Sequence, residues 1–290
     1  MKLKKTLIAL SVSAGLALSS QVNAGFVDVV TIVDESGSMS GEHAWLGGMI
    51  NTLDTALGNL NPAISPNNYG LVGFGGSSTH RPGHQHDVGG AGSQFGSASQ
   101  FNTAVSTLVL NGGFEDGYSG INTANGYAFR PGAARNYILV TDEDRDNGNS
   151  SLNYSGMLSS MTSTKTLLNA VVNASFVCGD GSSALGIDSH GNGYQVDGSG
   201  GFTTCSGASA TSGFGTTIAD YVNLALATGG AAWNLNVLRS GGTNADSFTK
   251  AFIDIKVREI TNQTGNVPEP TTLALLGLGW MGFRLRRKTA

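Results

Sequence analysis

Three oxygen-bearing side chains recur at every second position near the start of the chain, in the sequence DESGS: Asp34, Ser36 and Ser38. One carboxylate and two hydroxyls that converge in a short turn are hard ligands, which suit Mg²⁺, Mn²⁺ or Ca²⁺ better than zinc. The spacing therefore predicts a divalent-cation site. The alternative is an Asp/Ser turn that only caps the helix after it.

The segment before these residues indicates what positions them. Residues 26–33 are almost entirely apolar and rich in β-branched side chains, and Asp28 is the only charge among them. This pattern is typical of a strand that is buried on both faces of a mostly parallel sheet. Because strands and helices alternate along the rest of the chain, we expect an α/β fold, a doubly wound, mostly parallel six-stranded sheet with helices on both faces.

The D-x-S-x-S motif after a buried strand resembles the metal-ion-dependent adhesion site (MIDAS) of von Willebrand factor type A domains, also called integrin I-like domains. The resemblance covers residues 25–262 and implies a Rossmann-like fold. It also implies a bound divalent cation, with Mg²⁺ favoured over Ca²⁺ or Mn²⁺, and further ligands from later loops.

Those later ligands are assigned by the same resemblance. The run EDGYSGI resembles the integrin β-subunit type of site, in which a glutamate before a helix binds the metal. Glu115 matches that position, with Asp116 as the adjacent alternative. Asp142 follows a second apolar strand at 136–141 and matches the last metal-associated aspartate of the family.

The family resemblance implies binding rather than catalysis, because the open metal position takes an acidic oxygen from a partner. Ser36 and Ser38 have no obvious histidine partner, and the sequence contains no G-x-S-x-G nucleophile elbow. We therefore predict a non-enzymatic adhesion module whose ligand is a protein or polysaccharide. A metal-assisted hydrolase and a matrix protein with a purely stabilising ion are the alternatives.

A glycine-rich stretch at 75–96 contains His80, His84 and His86, three histidines within seven residues. Imidazoles at such spacing can bind a transition metal. We expect a solvated polar loop here, with a metal site as the alternative.

The amino terminus reads as a secretory signal peptide, predicted over residues 1–24. It begins with three lysines, continues with a short apolar run and ends in small residues. We therefore expect the protein to be exported, and residues 1–24 are not counted as part of the folded body.

The carboxyl terminus carries a tripartite signal within the predicted tail 263–290. It consists of Pro268, Glu269 and Pro270, an apolar run at 271–283 and a basic end at 284–288. This pattern resembles the PEP-CTERM sorting signal of Gram-negative bacteria, which implies cleavage by an exosortase. As a helix the apolar run would be about 20 Å long, shorter than a bilayer core of about 30 Å. We expect transient anchoring in the inner membrane, through this tail alone, and then a place at the cell surface or in the extracellular matrix.

Charge and cysteine content bound the remaining possibilities. The chain has a net charge of −4, and the nine basic and nineteen acidic residues between the two terminal signals give the body a charge near −10. This negative charge opposes binding to nucleic acid.

Cys178 and Cys205 are the only cysteines, and in an exported chain they predict a disulfide in the polar insertion 178–214. Two separate buried thiols are the alternative.

Overall fold

The computed structural model describes residues 26–60 and 66–264. Its strands are β1 (Val27–Asp34), β2 (Asn68–Phe74), β3 (His84–His86), β4 (Phe95–Gly96), β5 (Ala134–Thr141), β6 (Leu167–Val172), β7 (Ala174–Val177), β8 (Ser183–Ala184), β9 (Gly186–Asp188), β10 (Asn192–Val196), β11 (Phe202–Ser206), β12 (Ser209–Gly213) and β13 (Ala231–Asn234). Its α-helices are α1 (Ser40–Leu60), α2 (Ala98–Ala104), α3 (Gly117–Asn125), α4 (Tyr154–Ser163), α5 (Asn223–Ala227), α6 (Leu235–Arg239) and α7 (Gly242–Gln263).

The centre of the main sheet is a set of parallel strands in the order β13-β6-β5-β1-β2. The chain places β2 on one side of β1 and then β5, β6 and β13 on the other, so the strand order reverses between β1 and β5. In open α/β sheets a crevice forms at the carboxyl ends of the strands where the order reverses. Asp34 ends β1 and Thr141 ends β5, so the fold places the predicted site in that crevice.

Alternate side chains of β1 enter two apolar cores, one on each face of the sheet. Val29 and Val33 lie in the core that also contains residues of α1, α2 and α7. Val30 and Ile32 lie in the core that contains residues of α3, α4 and α5. The prediction of a doubly wound α/β fold with helices on both faces is thereby confirmed.

The prediction of six strands was wrong at the edges of the sheet, which has ten strands. At one edge, β3 and β4 pair with β2 in antiparallel fashion inside the stretch predicted to be a loop. At the other edge, β9, β10 and β11 extend the sheet beyond β13. These edge strands are two to five residues long and largely polar or glycine-rich. They therefore lack the apolar pattern by which a strand is recognised.

The insertion 178–214 is built largely of short strands. Within it, β8 and β12 pair with β7 as a separate three-stranded antiparallel sheet. Cys178, which follows β7, is disulfide-bonded to Cys205 on β11, with the two Cα atoms 5.9 Å apart. The predicted disulfide is confirmed, and it ties the small sheet to the edge of the main one.

The terminal signals lie outside the described residues. Between 26 and 264, apart from the gap at 61–65, no helix combines the length and the apolar character that crossing a bilayer requires. The predicted apolar anchor at 271–283 falls beyond that range.

Candidate metal centre

Asp34 is the last residue of β1, beside the end of β5, and its side chain is fully buried. Its Oδ1 accepts a hydrogen bond from the backbone N–H of Ser36 at 2.7 Å. Its Oδ2 accepts one from the hydroxyl of Thr141, at the end of β5, at 2.8 Å. Because these bonds come from the turn and from the neighbouring strand, they fix the carboxylate in one orientation. Each carboxylate oxygen keeps a further acceptor position.

The two serines of the motif join Asp34 to the end of β5. The hydroxyl oxygens of Ser36 and Ser38 lie 3.0 Å apart. The Ser38 hydroxyl donates to Oδ1 of Asp142 at 3.0 Å. A chain of oxygen atoms therefore crosses the crevice from the turn after β1 to the residue that follows β5.

Glu115 brings a third carboxylate to the same point. One oxygen each from Asp34, Glu115 and Asp142 lies within 4.8 Å of the others. Glu115 is only 3 % exposed, and its buried Oε2 has no hydrogen-bond partner. Gly75 makes this approach possible, because a Cβ there would lie 2.8 Å from Asp34 Oδ1 and 3.1 Å from Glu115 Cγ.

The electrostatics of these carboxylates fit a cation. Burial raises the pKa of Glu115, and the Asp34 carboxylate raises it further. Burial also raises the pKa of Asp34, although hydrogen bonds from Ser36 and Thr141 offset part of the effect. Two buried carboxylates that face each other are unfavourable unless a proton or a cation lies between them. A divalent ion would neutralise the two carboxylates and would give Oε2 of Glu115 a partner.

Asp116, the alternative to Glu115, is directed elsewhere. It accepts a hydrogen bond from Nε of Arg145 at 2.8 Å and caps α3 by accepting from the backbone N–H of Tyr118 at 3.2 Å. The Arg145 guanidinium in turn stacks on the Tyr118 ring, 4.3 Å from its centroid. Of the two adjacent acids, only Glu115 therefore belongs to the cluster around Asp34.

We expect Glu115→Gln to weaken Mn²⁺ affinity by about tenfold or more, which corresponds to about 1.4 kcal/mol. The reason is that it replaces a negatively charged oxygen beside Asp34. Asp116→Asn is the matched control and should change affinity by less than about threefold. Titration calorimetry of the exported protein measures both. The reverse order would make Asp116 the ligand.

Two residues that support the cluster, Asp146 and Arg239, were not predicted from the sequence. The Asp146 carboxylate accepts from the backbone N–H of Glu115 at 3.0 Å, and the Asp146 N–H donates to the Glu115 carbonyl at 2.9 Å. On the outer side, Nη2 of Arg239 donates to Oδ2 of Asp142 at 2.9 Å and to the Ser38 carbonyl at 3.2 Å. Arg239 is the last residue of α6, so this helix closes one side of the site.

The donor set decides which ion fits. Carboxylate and hydroxyl oxygens are the ligands of Mg²⁺, Ca²⁺ and Mn²⁺. His43, the histidine nearest the motif in sequence, donates through Nε2 to the backbone carbonyl of Asp34 at 2.8 Å. It therefore supports the turn from behind and adds no nitrogen to the oxygen cluster.

A family model for the PEP-CTERM protein-sorting motif matches residues 266–288. This match confirms the predicted sorting signal. It implies export, membrane-associated sorting and processing by an exosortase. Among curated proteins, none matches the sequence of this chain.

Solved structures similar to this chain include von Willebrand factor type A domains. A von Willebrand factor type A structure from Catenulispora acidiphila is 19 % identical, with a TM-score of 0.35 over 51 % of this chain and 33 % of its own. Proximal thread matrix protein 1 from the mussel byssus is 14 % identical, with a TM-score of 0.37 over 52 % of this chain and 37 % of its own. A second structure of the mussel protein has a zinc-occupied MIDAS motif. The matches span about a third of the length of these structures.

Proposed function

We propose that the exported body is a non-enzymatic, divalent-cation-dependent binding module that acts at the cell surface or in the extracellular matrix. One observation carries the proposal: hard oxygen donors from three separate loops converge where the strand order reverses, and one of them, Oε2 of Glu115, is buried without a partner. A site of this kind is suited to hold a cation and, through it, an anionic ligand.

The ion would be held by oxygens of Asp34, Ser36, Ser38 and Glu115. Asp142 would orient the Ser38 hydroxyl, from which it accepts a hydrogen bond. Mg²⁺ requires six ligands in octahedral geometry and keeps waters where the protein supplies fewer. With one oxygen from each of these four side chains, the set supplies four ligands, which leaves positions for water and for an acidic oxygen of a partner. A protein or a polysaccharide that carries carboxylates has the required chemistry.

Binding is favoured over hydrolysis by the placement of His43. Activation of a metal-bound water or of a serine hydroxyl would need a base within hydrogen-bond reach. The His43 imidazole instead bonds the Asp34 carbonyl, is 7 % exposed, and has its pKa lowered chiefly by burial. The imidazole therefore holds the turn by a hydrogen bond and is not placed to act as a general base.

The binding function is tested by passing extracellular-matrix extract over the immobilised exported protein in Mg²⁺ and eluting with a chelator. We expect retained material to be released by chelation and to be absent from an Asp34→Asn column. Asp254→Asn, at an aspartate of α7 whose side chain is 41 % exposed, is the control and should retain it. Equal retention by all three proteins, or metal-dependent turnover of a phosphate or glycan substrate, would contradict a pure binding role.

The sorting tail supplies a separate prediction. Pro268→Ala combined with Pro270→Ala should leave an uncut form in the membrane fraction, because the change removes both prolines of the matched motif. Blotting of cell fractions measures this, with Pro131→Ala as a control outside the motif. Release of the double variant at the rate of the unmodified protein would show that the motif does not direct processing.

A further inference from the structure

The three histidines of the stretch 75–96 do not lie free in solvent but meet around one carboxylate, that of Glu35. Oε2 of Glu35 is 3.0 Å from His80 Nδ1 and 3.1 Å from His84 Nε2. Its Oε1 is 3.1 Å from His86 Nε2. One ligand atom from each of the four side chains lies within 4.8 Å of all the others. The expectation of a solvated loop was therefore wrong at this place.

The hydrogen bonds behind two of the rings define which nitrogen faces Glu35. The Thr107 hydroxyl donates to the Ala104 carbonyl at 2.7 Å, so it must accept from Nδ1 of His86, 2.6 Å away. Nδ1 of His84 likewise donates to the Pro82 carbonyl at 3.0 Å. With Nδ1 protonated, each neutral ring presents the lone pair of Nε2 to the carboxylate. Metal-binding histidines are held in this way by an outer acceptor on the other ring nitrogen.

Lone pairs that face a carboxylate are unfavourable without a positive charge between them. Nε2 of His84 and Nε2 of His86 are both buried, and neither has a hydrogen-bond partner. His86 is 6 % exposed and Glu35 is completely buried. The three ring centroids lie 4.5, 4.9 and 6.0 Å apart, so charging every ring would bring like charges together. One divalent cation would satisfy both orphan nitrogens and the carboxylate together.

The backbone around the cluster is shaped to leave room for these groups. A Cβ on Gly73 of β2 would lie 2.6 Å from Glu35 Oε2 and 2.7 Å from His86 Nε2, so any larger residue would collide with the ligand atoms. Oε1 of Glu35 also accepts from the backbone N–H of Val109 at 2.9 Å. The carboxylate is thereby held in place from a second loop.

We propose that Glu35, His80, His84 and His86 form a second metal site, which takes one zinc-class divalent ion independently of the Asp34 site. Imidazole nitrogens favour zinc and similar transition metals, whereas Mg²⁺ and Ca²⁺ favour oxygen. In a tetrahedral zinc site with bonds of about 2.0–2.1 Å, neighbouring ligand atoms are about 3.3 Å apart. The N···O separations of 3.0–3.1 Å are close to that value.

Four protein ligands make this a closed site, which is the structural rather than the catalytic type. The ion would tie the polar stretch that contains β3 to the residue that follows β1. Asp34 and Glu35 are consecutive, so the two sites share one segment of backbone. The Glu35 site would hold the base of the turn that carries Ser36 and Ser38.

The test is a Co²⁺ titration of the chelator-treated exported protein, followed by the visible absorption of tetrahedral cobalt and by displacement with Zn²⁺. We expect one equivalent to bind with that spectrum. His84→Gln removes a ligand and should abolish the spectrum. Thr107→Val leaves every ligand in place and should weaken zinc binding by about 10–100-fold, the usual loss when an outer-shell partner is removed. Circular dichroism confirms that each variant is folded.

Two controls separate this site from the other one and from adventitious binding. Asp34→Asn should keep the cobalt spectrum while losing Mg²⁺ binding, and His190→Gln, at an exposed histidine of the insertion, should keep both. The proposal is overturned if folded His84→Gln binds Co²⁺ as the unmodified protein does, if Asp34→Asn abolishes the spectrum, or if no stoichiometric ion binds.

Discussion

Replacing Asp34 by asparagine should abolish the thermal stabilisation that Mg²⁺ or Ca²⁺ gives the exported protein. Binding to the native state alone stabilises it by about 2.7 kcal/mol when the free ion is at a hundred times its dissociation constant. Asp34 is the carboxylate at the centre of the cluster, between the motif serines and Glu115. Asparagine keeps the shape, but it loses the charge and has only one acceptor oxygen for two donors, the Ser36 N–H and the Thr141 hydroxyl.

The same variant separates loss of metal from loss of fold. In the metal-free protein the lost hydrogen bond lowers stability by about 1 kcal/mol, whereas removal of the carboxylate that faces Glu115 raises it. We therefore expect the stability without metal to change little. Scanning calorimetry with chelator, with Mg²⁺ and with Ca²⁺ measures both effects, and Asp254→Asn, at a partly exposed aspartate of α7, serves as the control. Equal metal-induced shifts in the Asp34→Asn and unmodified proteins would rule out this site.

Phe252→Ala should lower the free energy of unfolding by about 3–5 kcal/mol, the usual cost of removing a fully buried phenylalanine. The ring lies in α7, is completely buried, and packs edge-on against Trp45 and Trp233, with centroids 5.5 and 5.4 Å away. It also stacks on Phe248. The substitution would leave a cavity where α7 meets α1 and the main sheet.

Phe214→Ala is the matched control, because that ring is 49 % exposed and its loss should change stability by about 0.5 kcal/mol or less. Urea unfolding in the presence of a chelator compares the two variants without a contribution from bound ions. A Phe252→Ala loss as small as that of Phe214→Ala would mean that α7 is not packed on the sheet in solution.

The parts of the molecule that sequence reasoning predicted are those specified by neighbouring residues. The apolar run of β1 and the alternation of Asp34, Ser36 and Ser38 are local features, and together they place oxygen ligands at the end of a central strand. Phe248 and Phe252 lie four residues apart on α7, which is local in the same sense, and both rings are buried.

The parts that were missed depend on contacts between distant segments. Three clustered histidines were visible in the sequence, but their shared carboxylate, Glu35, is 45 residues from His80. Arg239 meets Asp142 across 97 residues. The choice between Glu115 and Asp116 rests on the backbone at the start of α3, where one carboxylate caps the helix and its neighbour turns inward. Such contacts cannot be predicted from the composition of the sequence or from the spacing of its residues.

Two consecutive residues at the carboxyl end of β1, Asp34 and Glu35, would each bind a different metal ion. Successive side chains of an extended segment point in opposite directions, and here Asp34 meets oxygen donors while Glu35 meets nitrogen donors. We expect the two sites to select different ions for that reason, a hard cation at Asp34 and a transition metal at Glu35.

The most direct test of the central claim is an anomalous-difference map from crystals of the exported protein grown with Mn²⁺ as a substitute for Mg²⁺. The account predicts a peak about 2.0–2.6 Å from oxygens of Asp34, Ser36 and Ser38, the bond lengths of hard cations on oxygen ligands. Glu115 should face the same peak. An ordered turn at 34–38 without a peak, or a peak coordinated by Asp116 in place of Glu115, would contradict it.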